Sequence, residues 1–294
     1  MLRFVDIVLG AGGGNQCRRC RGVEPETLRD TADIIADVRK AARAWHTTPG
    51  PNLSLTGAEP FHHPALAEIV ADAVAAGAQR IRLDSDSHAL ASPVTAKTVV
   101  AGGVRHLQFT LLGSTAPLHD SLSGRAGAFE STMRGATMFA ETASEAGIPV
   151  QISARISVCR HNLRDISAIV TAAAKAGASL VHLALVDQRL ELPTAAPWIG
   201  AACDTGIVNS TWVEVEGMPF GPASGWELHL ASIYRPVVGA KTAVCGPCPL
   251  EKVCGGATDG AGDAVVAAFR PPAGADQFAA RINRGFEPPM SAHE

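Results

Sequence analysis

An Ala-Gly step followed by alternating apolar and polar positions recurs four times: AAGAQRIRLD (75–84), VAGGVRHLQF (100–109), EAGIPVQISA (145–154) and KAGASLVHLA (175–184). Each reads as a helix stopped by glycine in a left-handed cap, with a strand starting shortly afterwards. The segments before these junctions carry a helical period. Leu28, Ile34, Ile35, Val38, Ala41, Ala42 and Trp45 share one face of the first, Leu66, Ile69, Val70, Ala73 and Val74 one face of the next, and Ile166, Ile169, Val170 and Ala173 one face of a later one. Strands are predicted at Phe4–Leu9, Asn52–Thr56, Arg80–Asp84, Val104–Leu112, Pro149–Ser157 and Ser179–Val186. Strands that alternate with helices pair in parallel through right-handed crossovers. A doubly wound sheet and a partial or closed barrel both satisfy this pattern.

The rhythm breaks after Leu190. PTAAPWIGAACDTGI reads as a helix and loop, TWVEVEG as one more strand, and 241–262 is rich in glycine and cysteine. PPAG and EPP turns mark the end of the chain. The expected division is a βα domain over 1–204, a cysteine module over 205–268 and a surface tail over 269–294.

Composition narrows the classes of function. With 294 residues, 47% of them apolar and 18% charged, the chain is neither a disordered tail, a collagen nor a coiled coil. A net charge of −3 gives no basic field for nucleic acid or an anionic membrane. No apolar run reaches the ~18 residues that cross a bilayer, and the first residues lack a signal-peptide pattern. A cytoplasmic protein is therefore expected. In that compartment clustered thiols suggest metal rather than bridges, and five of the seven cysteines fall in two groups, Cys17/Cys20 and Cys245/Cys248/Cys254.

The first group lies in GAGGGNQCRRCRG (10–22), after the first strand. A dinucleotide fingerprint would need glycine at position 15, which is Asn15. Cys-x-x-Cys beside Arg18, Arg19 and Arg21 fits a redox pair or half of a metal site, since arginines favour thiolates. The arginines alone fit an anion contact or a solvated face. At the second group only three thiols stand together, with no histidine between 230 and 292, whereas zinc takes four ligands. A composite zinc site from both groups would make a zinc-stabilised binding protein.

Two further segments change the picture. LTGAEPFHHPAL (55–66) follows the second strand, and RHLQFTLLGSTAPLHDSLSGRAGAFE (105–130) carries the fourth. With the cysteine loop they resemble, in three places and in the right order, the radical S-adenosylmethionine superfamily. Its pattern is C-x3-C-x2-C after the first strand, Gly-Gly-Glu-Pro after the second, and a later segment with a His-Asp pair and a Ser-Leu-x-Gly stretch. The matching residues here are Cys17 and Cys20, Gly57-Ala58-Glu59-Pro60, and His119-Asp120 with Gly124.

The resemblance implies an α/β fold, a partial (β/α)6 barrel with a small C-terminal cysteine module. It implies a [4Fe–4S] cluster held by cysteines and S-adenosylmethionine chelated to its fourth iron. Cys17 and Cys20 would be cluster ligands, Gly57, Ala58, Glu59 and Pro60 would meet the methionine group, and Thr110 would approach the cofactor. Cys245, Cys248 and Cys254 are similar to an auxiliary-cluster module. The expected partners are a peptide or small-molecule substrate, or a partner protein.

The chain departs from that pattern at two ligand positions. Gly13 stands four before Cys17, where the first cluster cysteine belongs, and Gly221 in GMPFG (217–221) stands where the auxiliary set has another. Glycine has no ligand atom, so each set is one thiolate short. LDSDSHAL (83–90) replaces the usual Asn-Gly after the third strand. An impaired or accessory relative is the expected function, with an active enzyme completed by a non-cysteine or partner ligand as the alternative. Cys159 and Cys203 read as small buried apolar residues, although Cys203 lies upstream of the second set and could substitute there. His62-His63 read as loop or capping residues, and His119-Asp120 as either a dyad or a turn and cap.

Overall fold

The computed structural model describes residues 4–14, 25–45, 50–187, 189–223, 225–233, 245–254, 256 and 275–283. Seven strands are hydrogen-bonded in the order of the sequence. They are β1 (Phe4–Val8), β2 (Asn52–Thr56), β3 (Arg80–Ser85), β4 (Val104–Thr110), β5 (Gln151–Val158), β6 (Leu180–Leu185) and β7 (Trp212–Glu216). Strand order never reverses, so there is no switch point of the doubly wound kind. In-order parallel strands are what a barrel requires, and this resolves the ambiguity of the pattern. Trp212–Glu216, expected to open the C-terminal module, pairs in parallel with β6 instead.

The chain separates into two compact units, 1–155 with 172–179, and 156–171 with 180–294. In the first, β1 to β4 alternate with α1 (Thr31–Ala44), α2 (Leu66–Ala75) and α3 (Pro93–Gly102), and α4 (Ala116–Ser123) and α5 (Ala128–Glu145) follow β4. The junction glycines 77, 103, 147 and 177 all adopt positive φ, as a left-handed cap needs. Asp30 caps α1 by accepting from Ala32 N–H at 2.8 Å. That helix buries only Ile34 and Val38. Leu28, placed on its face by periodicity, is exposed and belongs to a short antiparallel ladder of Gly10–Ala11 with Thr27–Leu28.

Strand alternation gives the sheet of this unit two different faces. Leu53, Leu55, Ile81, Leu83, Leu107 and Phe109 are at most 1% exposed and form the apolar face that helices cover. The alternate positions are polar: Asp6, Ser54, Arg82 and His106 lie in one row, and Asp84, Gln108 and Ser153 in the next.

α6 (Ile166–Lys175) follows β5, and the second unit holds β6, β7 and α7 (Leu192–Val208), which buries Ile199, Ala202 and Cys203. α8 (Ala275–Asn283) lies in the segment expected to be tail, with Ala275 and Ala279 buried. Among the described residues no helix is long and apolar enough to cross a membrane.

Candidate functional site

The C-terminal ends of β2 and β3 lead into a cluster of buried polar residues, Glu59, Ser85, Asp86 and Ser87. Immediately after β2 the chain turns at Gly57, with φ of +95°. A Cβ there would overlap the Gly10 carbonyl oxygen and stand 2.9 Å from Val8 Cγ1, so only glycine fits. Ala58 and Glu59 follow, both buried, and Pro60 opens a short 3-10 turn to His62. Thr110, the last residue of β4, lies at the same end of the sheet, opposite Arg155.

Glu59 is 3% exposed. Its Oε1 accepts from Ser85 Oγ–H at 2.7 Å and Phe61 N–H at 3.3 Å, and its Oε2 from Asp86 N–H at 2.7 Å. Burial is the main cause that pushes its carboxyl up to about 8, and the Asp86 carboxylate pushes the same way, while the three hydrogen bonds oppose them. Sequence reasoning singled out Glu59 but missed its companions. Asp86 is also buried, with Oδ1 accepting from His88 N–H at 2.9 Å and Oδ2 lying 3.1 Å from His88 Nδ1 and 4.0 Å from Arg125 Nη1. His88 Nε2 reaches Thr132 Oγ1 at 3.1 Å, and the Thr132 hydroxyl donates to the Asp86 carbonyl at 3.0 Å. Burial lowers the His88 pKa, and the Asp86 carboxylate opposes this. Gly135 on α5 admits the Ser87 carbonyl, which a Cβ would overlap, so the DSDSH segment is wedged between α5 and the GAEP turn.

The polar sheet face continues from this cluster. Arg82 Nε donates to Ser54 Oγ at 3.0 Å and lies 3.2 Å from Asp84 Oδ1, with the guanidinium 4.4 Å from the Phe4 ring centroid. Gln108 Nε2 donates to Asp84 Oδ1 at 2.9 Å, and Ser153 Oγ lies 2.8 Å from His106 Nε2. Burial raises the Asp84 pKa, with Arg82 the leading opposing influence. Polar groups are costly to bury without partners. A face so furnished suits a polar ligand.

The histidine pairs are structural. His63 Nδ1 accepts from Ala65 N–H at 3.2 Å and its Nε2 faces the Arg29 carbonyl at 3.1 Å. Asp120 accepts from Gly127 N–H at 2.7 Å and Phe129 N–H at 2.9 Å, capping the start of α5. His119 is fully buried, takes the Leu112 N–H at 3.2 Å on Nδ1, and is driven down to about 4 by burial.

Cys17 and Cys20, with Arg18, Arg19 and Arg21, lie outside the described residues. The loop that leads to them is described as far as Gly14. Gly13 has φ of +76°, and a Cβ on it would overlap Glu26 Oε1 and come within 2.6 Å of Glu26 Cδ. The space that a ligand side chain would need at position 13 is filled by a carboxylate. This donor set does not fit a three-cysteine cluster site. The buried Asp86 carboxylate, with the Glu59 carboxyl beside it, does fit a cationic ligand such as a sulfonium with an amino group.

In the second unit, the Cys248 N–H donates to the Cys245 carbonyl at 3.0 Å and the Cys254 N–H to that of Leu250 at 2.8 Å, so successive turns link the three half-buried cysteines. Burial pushes the Cys254 thiol up. Backbone bonds from Phe220 and Gly256 oppose this, and Cys245 and Cys248 are near enough to raise it further. Among the described residues no group of three or more His, Cys, Asp or Glu could hold a metal ion. Cys159 and Cys203 are fully buried, and burial raises the Cys203 thiol strongly.

In-order parallel strands with a polar mouth at their C-terminal ends define a partial βα barrel of the radical S-adenosylmethionine kind. SuiB of Streptococcus suis, solved with S-adenosylmethionine and with its precursor peptide SuiA, shares this fold: with the S-adenosylmethionine complex the TM-score is 0.57 at 12% identity, over 73% of this chain and 51% of SuiB. No family model matches the chain. It is 29% identical over 182 residues to an AdoMet-dependent heme synthase of Methanosarcina barkeri, covering 62% of this chain and 50% of that protein. It is 32% identical over 134 residues to a PqqA peptide cyclase of Ruegeria pomeroyi, covering 46% of this chain and 34% of that protein. The chain therefore spans half or less of the length of these curated relatives. These similarities in sequence and fold support a radical S-adenosylmethionine superfamily protein.

Proposed function

We propose that the first unit binds S-adenosylmethionine at the C-terminal ends of β2 to β4 and that the protein is an impaired or accessory relative of enzymes that modify peptides or build small metabolites. The backbone of Gly57–Pro60 meets the methionine head group, and Thr110 flanks the cofactor. The Asp84, Gln108 and Ser153 row receives the remainder of the ligand or a polar substrate beside it. S-adenosylmethionine supplies a sulfonium centre when bound; the buried Asp86 carboxylate sets a negative field that attracts it, and the Glu59 carboxyl lies beside it. A peptide is the favoured partner class, because one relative is named for a peptide it cyclises and the shared fold of SuiB accommodates another.

Impairment rests on one observation. Position 13 carries no ligand atom, and its side-chain space is occupied by Glu26. Without an iron to chelate its amino and carboxylate groups, S-adenosylmethionine keeps only its contacts to the barrel, and affinity falls. Calorimetry on metal-free protein tests this. Weak binding is expected, reduced at least threefold by Glu59→Ala, and equal affinity of the two proteins would reject the assignment of the GAEP turn.

A further inference from the structure

We infer that the Glu26 carboxylate is a built-in substitute for the side chain that position 13 lacks, seated in an internal carboxylate site made by the Gly12–Gly14 loop, the Glu59 amide and His62. What the site has replaced rests on the reading above; its geometry does not. A Cβ on Gly13 would overlap Glu26 Oε1, stand 2.6 Å from Cδ and 3.2 Å from Cγ. The end of the Glu26 side chain therefore lies where any residue-13 side chain would begin.

The carboxylate is held from the far side as well. Glu26 Oε1 accepts from Glu59 N–H at 3.1 Å, and Oε2 faces His62 Nδ1 at 2.7 Å, where the ring N–H donates. Glu26 is only partly exposed, its side chain retaining 24% of its accessible surface. The loop itself rests on the same turn, since a Cβ on Gly14 would touch Glu59 Oε2 at 3.4 Å. A run of left-handed glycines is expensive to order, because glycine loses more freedom than any other residue on folding. In a three-cysteine protein, iron would order this loop. Here one carboxylate joins it to the GAEP turn through an amide and an imidazole, with no metal required.

Two side chains cannot share that space, so the glycine and the glutamate form a coupled pair. Gly13→Cys alone puts its Cβ into the carboxylate and restores nothing. Cysteine has room only when Glu26 is shortened.

A double-mutant cycle on the full chain tests the inference by thermal unfolding. Gly13→Ala is expected to lower Tm by about 4 °C, and by at most half as much in a Glu26→Ala background. Formate at 100 mM should raise the Tm of Glu26→Ala by at least about 2 °C more than that of the wild type, because it refills the site. Additive shifts with no formate response would overturn the inference. Should Glu26→Ala fail to fold, Glu26→Ser empties the same space with a shorter polar side chain and serves in the same cycle. Anaerobic iron counting separates the two levels. Iron uptake by Gly13→Cys/Glu26→Ala but not by Gly13→Cys supports the exchange, and equal uptake by both removes Glu26 from it. Coupled stability with no iron in either leaves the carboxylate site standing and counts against the lost-cluster reading instead.

Discussion

Glu59→Gln isolates a carboxyl that burial carries to the edge of neutral pH. Glu59 is held at about 8, chiefly by burial, against an unperturbed value of 4.5. A carboxyl whose folded-state pKa is raised binds its proton more tightly in the native state than in the unfolded one. Stability is therefore undiminished below about pH 4.5, falls as pH rises through the window between 4.5 and 8, and levels off above 8. At about 1.4 kcal/mol per unit, the loss between pH 5 and 8 is on the order of 4 kcal/mol. That is an upper figure, because water entering around the new charge relieves part of the cost. Glutamine cannot ionise, so the variant should lose this slope. It starts lower, by about 1–3 kcal/mol, because its amide NH2 meets the Asp86 N–H that the carboxylate accepted. Urea unfolding at half-unit steps from pH 4.5 to 9 measures both curves, and they should converge as pH rises. Parallel curves would refute the reasoning, since they would mean that the three hydrogen bonds keep Glu59 ionised throughout.

Two further substitutions test how the site is positioned. Gly57→Ala meets both a left-handed backbone and the Gly10 carbonyl, and should cost about 3 kcal/mol or more in urea unfolding, with loss of S-adenosylmethionine binding in calorimetry. Asp120→Ala removes two acceptors from the start of α5 and should cost about 1–2 kcal/mol without altering that binding, whereas a specific loss of affinity would return the His-Asp pair to the ligand site.

Four of the six expected strands were legible because each began after a glycine cap; Asn52–Thr56 is found within its expected bounds and the other five within a residue or two at each end. The polarity of the alternate positions was equally visible, but only pairing in sequence order shows that Asp84, Gln108 and Ser153 form one row. Gly57 and Thr110 were placed by motif, and both stand at the C-terminal ends of their strands. The DSDSH cluster was not legible. Its members are bound to one another and to Thr132 across some 45 residues, and no spacing encodes that contact. α5 was expected only from the glycine that ends it, and its buried face was not read for a related reason: Ser, Thr and Gly dilute its apolar stripe, yet Thr132, Gly135 and Thr142 are among its buried positions. Glu26 gave no signal at all. A single glutamate in VEPETLRD has no period, and its significance comes wholly from the absent Cβ of Gly13.

The central claim is that this superfamily barrel lacks a working N-terminal cluster. Anaerobic reconstitution with iron and sulfide, followed by assay of 5′-deoxyadenosine release from S-adenosylmethionine under a strong reductant, tests it most directly. The account predicts negligible release by the wild type. Sustained release that Cys17→Ala abolishes would contradict it, and would show that some ligand other than residue 13 completes an active cluster.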